Sequence, residues 1–256
     1  MDDTIHPDQH KIDDRTNAIN QGYADADGFK VVAGRIGGPR GNVNRFVHDP
    51  DNPTHLDLRR FAEWRKSKCL PRNYDQPGDR LADLDQSTLE LTGEAGEVAE
   101  VILRVSDEPT AIYDPKLREK LADEIGDVIF CASWHADAWG PNPLRTHAKM
   151  GEALRNLQVT KEERSLATLV RLGLLLNCQT GLLANAAKKV LVQGRDQDIN
   201  VQFTRLTSVF DYCAMILSIA GSDVYEATAR VVAKLDHRFP EGHPLVGGGI
   251  RTGIGA

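Results

Sequence analysis

Along most of this chain, apolar residues recur every three or four positions and almost nowhere at alternate ones. Leu84, Leu91, Ala95, Val98 and Ile102 fall on one side of a helix, and Leu117, Leu121, Val128 and Ala132 on one side of the next. The pattern predicts helices over residues 56–70, about 80–105, 115–139, 144–157, 161–193, 201–220 and 222–238. The breaks agree with the chemistry of helix ends. Pro71 stops the first helix, Pro115 suits a first turn, and the proline-containing runs at 140–143 and 239–244 close two more. Long amphipathic helices on short connections predict an all-α fold, an antiparallel helical bundle.

The ends of the chain differ from the middle. Residues 1–52 are rich in Asp, Gly, Asn and Pro and are expected to be a polar, partly extended N-terminal extension. Within it, 31–36 is either a short strand or a buried tether. Residues 247–256 carry too much glycine for regular structure and are expected to be a flexible tail.

The 41% hydrophobic content is enough for a substantial core in 256 residues, which excludes a disordered chain. A formal net charge of -6 offers no basic surface for phosphate neutralisation, so duplex nucleic acid is not an expected partner. Cys69, Cys131, Cys178 and Cys213 are widely spaced, without a CxxC pair, and are expected to be reduced core residues. The acidic start lacks the marks of a signal peptide, and the apolar stretches look too interrupted to cross a bilayer. The expectation is a soluble, cytoplasmic protein with no membrane contact.

The informative chemistry lies at 89–101 and 121–130. Glu90, Glu94 and Glu97 share about 60° of helical arc, forming an acidic ridge directly beside the apolar stripe of the same helix. Glu124 and Asp127 flank the stripe of the next helix in the same way. Packing the two stripes together collects four carboxylates at one place. Two like charges about 5 Å apart repel by roughly 3 kcal/mol at an effective dielectric near 20, and a hard cation relieves that repulsion. An all-oxygen set without histidine or thiolate suits Mg2+, with Mn2+ able to substitute, and magnesium pairs carboxylates with substrate phosphates. Gly93 and Gly96 are expected to let a partner helix or ligand approach the backbone closely. The competing reading is an ordinary solvated glutamate face.

The segments GEAGEVAE and EIGD resemble the ExxE, spacer, ExxD signature of the MazG-like all-α nucleoside triphosphate pyrophosphohydrolases, a group that includes dimeric dUTPases and phosphoribosyl-ATP pyrophosphatases. The matching positions are Glu94 and Glu97, then Glu124 and Asp127, and the similarity covers about residues 56–139. The resemblance implies cleavage of a nucleoside triphosphate between its α and β phosphates, giving a monophosphate and pyrophosphate, in control of a nucleotide pool. A dUTPase, a phosphoribosyl-ATP hydrolase and a non-catalytic nucleotide- or protein-binding bundle remain alternatives. Gly93 stands where some relatives carry a further acid, so the general base is open. Glu90, one turn earlier, is either its replacement, an outer supporting group or a surface residue.

Other candidates are less specific. Trp134 lies two turns past Asp127 on nearly the same face and either stacks on a base or packs in the core. His135 reads as a satisfied core histidine. Lys188 and Lys189, Arg195, and Lys234 with Arg238 either hold phosphate or are solvated helix ends. Residues 174–190 align by pattern with 89–105, placing Gln179 and Leu182 where Glu94 and Glu97 stand. In 206–217, Ser208 replaces Glu124 and Asp211 matches Asp127. Residues 53–143 are thus expected to be a catalytic repeat. Residues 144–246 would be a degenerate second repeat packed on the first, making the chain a monomeric pseudo-dimer or a homodimer. The alternative is that any two helical hairpins align this well.

Overall fold

A computed structural model describes residues 58–69, 73, 76–107, 114–139 and 164–239. The expected extension, the candidate strand at 31–36, the helix at 144–157 and the tail lie outside these residues. The described part is all-α, without a strand. Its helices are α1 (Leu58–Lys68), α2 (Pro77–Asp107), α3 (Pro115–Trp139), α4 (Leu166–Leu191), α5 (Ile199–Ala220) and α6 (Val224–Arg238).

Local chemistry sets the ends. α2 begins at Pro77, about one turn earlier than its apolar pattern suggests, because proline needs no amide partner in a first turn. Ser165, Asp198 and Asp223 cap α4, α5 and α6 by accepting hydrogen bonds from the amides of Thr168, Asn200 and Glu226. α5 stops at Gly221, whose φ of 75° places it in the left-handed region.

Two hairpins make the bundle. The links at 108–114 and 192–198 span about 25 Å at most, too short for a parallel return along α2 or α4, so α2 and α3 are antiparallel, as are α4 and α5. α2 packs on α3 and α4, and α5 packs on α3 and α4, so the first helices of the two hairpins meet and so do the second. The expected stripes are the core. Leu84, Leu91, Ala95, Val98, Ile102, Leu121, Val128 and Ala132 are all buried, and Leu117 packs against them. At the α2–α4 seam, a Cβ on Gly173 would lie 2.6 Å from the Cδ1 of Ile102. One turn on, the Asn177 amide donates to the carbonyl of Ala95 at 3.1 Å.

α6 lies on α3, where Arg230 reaches Asp123 at 3.1 Å and Lys234 reaches Asp127 one turn later. That register makes α6 run in the same direction as α3. α1 is tied down twice, by a buried pair between Arg65 and Asp137 and by Lys68, whose ammonium is 2.8 Å from Asp236 of α6.

Three sequence expectations change. Gly93 and Gly96 have no protein atom within 4 Å of an added Cβ, whereas Gly126, between Glu124 and Asp127, would place one 2.6 Å from the Ala227 carbonyl oxygen. The close approach therefore belongs to α3 and α6. Cys69, Cys131 and Cys213 are buried free thiols, but Cys178 is exposed because it falls on the outer face of α4. α4 and α5 are also long and apolar enough, by length and composition, to cross a membrane, against the expectation that the apolar stretches are too interrupted to do so. In the bundle these apolar faces cover one another and the inner faces of α2 and α3.

Candidate metal centre and adjoining cavity

Antiparallel packing of α2 on α3 brings the acidic ridge of one helix against the acids of the other. Ligand oxygens of Glu94, Glu124 and Asp127 all lie within 4.8 Å of one another. Glu124 is only 8% exposed, and Glu94 and Asp127 are half-buried, so all three stand at the border of the core. Glu97 is exposed and outside this group of three, although its charge still acts on Glu94.

The cluster is electrostatically strained, and the strain shows on its proton equilibria. Burial, followed by the charges of Asp127 and Glu97, pushes the Glu94 carboxyl up to about 7, with Lys234 opposing and Glu124 adding to the rise. Burial also raises Asp127 above its ordinary range, while its hydrogen bond from Lys234 acts the other way. Two ammonium groups relieve the cluster in part: Lys234 on Asp127, and Lys120 on Glu124 at 2.6 Å. The three carboxylates supply only oxygen donors, and that donor set fits Mg2+ or Mn2+.

Beside the cluster is a cavity of about 180 Å³, bounded by α2, α3, α6 and the end of α1. Glu90, Glu94, Asp127 and Lys234 line its acidic end. Helix directions place Gln86, Trp134 and Arg238 farther along, with Phe130 and Cys131 between. Contact between Ser87 and His135 fixes this level, since it puts the neighbours Gln86 and Trp134 at the same height on facing helices. Burial, with the nearby charges of Glu94, Glu90 and Asp127, holds the Cys131 thiol protonated.

Of the basic candidates, Lys234 and Arg238 line the cavity, whereas Lys188 and Lys189 stand in the last turn of α4 and are not among its lining residues. Glu90 borders the cavity. Trp134 also borders it and is only 6% exposed. His135 is a satisfied core residue. Trp139 donates its indole N–H to Nε2 at 2.7 Å, which makes Nε2 the acceptor. Nδ1 then carries the proton and donates to Ser87 Oγ at 3.0 Å. Burial lowers the His135 pKa to about 3.

Lys120, Gln86 and Gly126 were not picked out from the sequence. The i, i+4 spacing of Lys120 and Glu124 was visible there, as was the matching spacing of Arg230 and Lys234 to Asp123 and Asp127. Nothing in the periodicity distinguished Gly126 from Gly96. Comparison with protein-family models, with curated proteins and with solved structures gives no match.

Proposed function

We propose that this protein is a magnesium-dependent nucleoside triphosphate pyrophosphohydrolase of the MazG-like kind, acting on nucleotide pools in the cytoplasm. The observation that carries the reading is the convergence of Glu94, Glu124 and Asp127, with Glu94 and Asp127 also lining a cavity whose lining includes Lys234 and Arg238. A carboxylate cluster needs a cation, and a triphosphate needs its charge neutralised; one divalent ion serves both. When bound, Mg2+ supplies charge neutralisation of the phosphates and lowers the pKa of water.

The chain's own groups do the rest. Glu94, Glu124 and Asp127 hold the cation, with Glu97 one turn away as the remaining acid. Lys234 and Arg238 face the phosphates from α6. Water adds to the α phosphorus, the bond from that phosphorus to the bridging oxygen breaks, and pyrophosphate leaves with the nucleoside monophosphate as the second product. Glu90 borders the cavity without belonging to the group of three, which makes it the carboxylate available for the proton of the attacking water.

The pairing of α2 with α4 and of α3 with α5 supports a degenerate repeat, with one site per chain. Gln179 is a buried amide where Glu94 is an acid, and Asp211 is the one carboxylate retained in the second hairpin. A second reading, a nucleotide-binding bundle without turnover, draws on the outward position of Glu97. Incubating the protein with a panel of nucleoside triphosphates and Mg2+, and separating pyrophosphate from orthophosphate, decides between them. Pyrophosphate with a monophosphate supports the enzyme; binding without any product supports the second reading.

A further inference from the structure

The chain has three tryptophans, all among the described residues. Trp64 donates its indole N–H to Asp236 at 3.1 Å, and Trp139 donates to His135 at 2.7 Å. The Trp134 N–H is buried with no acceptor, and Trp134 is the one tryptophan bordering the cavity. A buried donor without a partner is unfavourable, and such groups in native proteins call for a specific explanation. The ring is nine-tenths buried and its N–H is buried with it, so an acceptor for that N–H must come from a group that enters the cavity.

Position narrows the acceptor. Trp134 is seven residues beyond Asp127 on α3, about 10 Å along the axis, which puts it beyond a phosphate held at the carboxylates. Gln86, on the facing helix at the same level, brings an amide with both a donor and an acceptor. Between that level and the carboxylates the wall is Phe130 and Cys131, apolar and suited to a flat ring.

Resting on the reading of the acidic cluster as a metal and phosphate site, we propose that Trp134 and Gln86 are the specificity-determining residues of a nucleobase subsite. There the Trp134 N–H donates to an in-plane carbonyl oxygen of an oxo-substituted base, and the Gln86 amide meets the same edge. The substrate class is a triphosphate of a base such as guanine or uracil.

The test measures dissociation constants for Mg2+ with non-hydrolysable α,β-imido triphosphates of guanine and of 2-aminopurine, which lacks the 6-oxo group. A second pair is uracil and 2-pyrimidinone, which lacks the 4-oxo group, and inorganic tripolyphosphate is the reference. Trp134→Phe keeps an aromatic ring but removes the N–H. It is expected to weaken the preferred oxo-base nucleotide about tenfold, and its deoxo partner and tripolyphosphate less than twofold. Equal losses for both members of each base pair, or no loss at all, would overturn the proposal.

A spectroscopic readout needs no variant. In a 1H–15N spectrum of the unaltered chain, the Trp134 indole signal should move downfield on saturation with the preferred nucleotide, while those of Trp64 and Trp139 stay. A stationary Trp134 signal also overturns the idea. Binding of tripolyphosphate without any preference among bases would sink the base subsite alone, and no binding of either would sink the metal-site reading with it.

Discussion

Gly126 of α3 faces the backbone carbonyl of Ala227 on α6 so closely that a Cβ there would sit 2.6 Å from the oxygen. Neither backbone can yield without moving its helix. Because α6 carries Lys234 and Arg238, this contact sets how the basic side chains stand over the acidic cluster. Gly126→Ala is expected to cost about 1–3 kcal/mol, read as a lower melting temperature. Gly93→Ala and Gly96→Ala meet open space, and each should gain up to about 1 kcal/mol from helix propensity. A Gly126→Ala protein that melts with the wild type would show that α6 does not sit at this distance.

Glu94 couples the cluster to pH. Its folded carboxyl titrates near 7, against an ordinary value of 4.5, so between these values the folded state holds a proton that the unfolded state has released. Its contribution to stability is complete below 4.5 and is lost as pH rises through 7. Metal-free Glu94→Gln should therefore gain on the parent as pH rises from 4.5 to 8. Magnesium competes for the same site, so its stabilisation of the parent should be larger at pH 8 than at pH 6, with proton release on binding at pH 6. Calorimetry in buffers of different ionisation enthalpy reads that release, and a magnesium effect independent of pH would remove Glu94 from the ligand set.

His135 acts in the opposite direction. It is neutral in the fold down to about pH 3, while in the unfolded chain it takes up a proton near 6.5, so the unfolded state binds more protons between those values. Stability is lost as pH falls through that window, with a limiting slope of about 1.4 kcal/mol per pH unit from this group. The windows of Glu94 and His135 overlap and partly cancel in the parent. Urea unfolding at pH 7 and pH 5 should show that His135→Asn, though less stable, loses less stability on acidification than the parent. Parallel losses in both proteins would mean that burial does not hold the ring neutral.

Residues 53–160 expressed alone should not fold as a stable monomer. The fragment would strip Ile102 of Gly173, the Ala95 carbonyl of Asn177 and Asp127 of Lys234. It would also expose the faces of α2 and α3 that α4 and α5 cover. Self-association or a non-cooperative melt is expected by sedimentation and thermal unfolding. A monomeric fragment with a sharp transition would sink the two-hairpin bundle as a single folding unit.

The periodicity of the sequence by itself determined the all-α class, the buried stripes from Leu84 to Ala132, and five of the six helix spans to within about a turn. Those features are set by residues within a few positions of one another, where the 3.6-residue repeat decides which side chains share a face. It also marked Glu94, Glu124 and Asp127, along with Glu97, because acids beside apolar stripes are drawn toward one another when those stripes pack. Which groups complete the site was decided by helices distant in the chain. Only the packing of α6 on α3 put Lys234 and Arg238 at the cavity and left Lys188 and Lys189 outside it. Only that packing, too, assigned the close contact to Gly126 rather than Gly96. Glu97 shares the ridge of Glu94 in the helical repeat, yet the packing of α2 leaves it exposed. The unpaired N–H of Trp134, beside a cavity lined by four helix segments, follows from tertiary packing that no local spacing encodes.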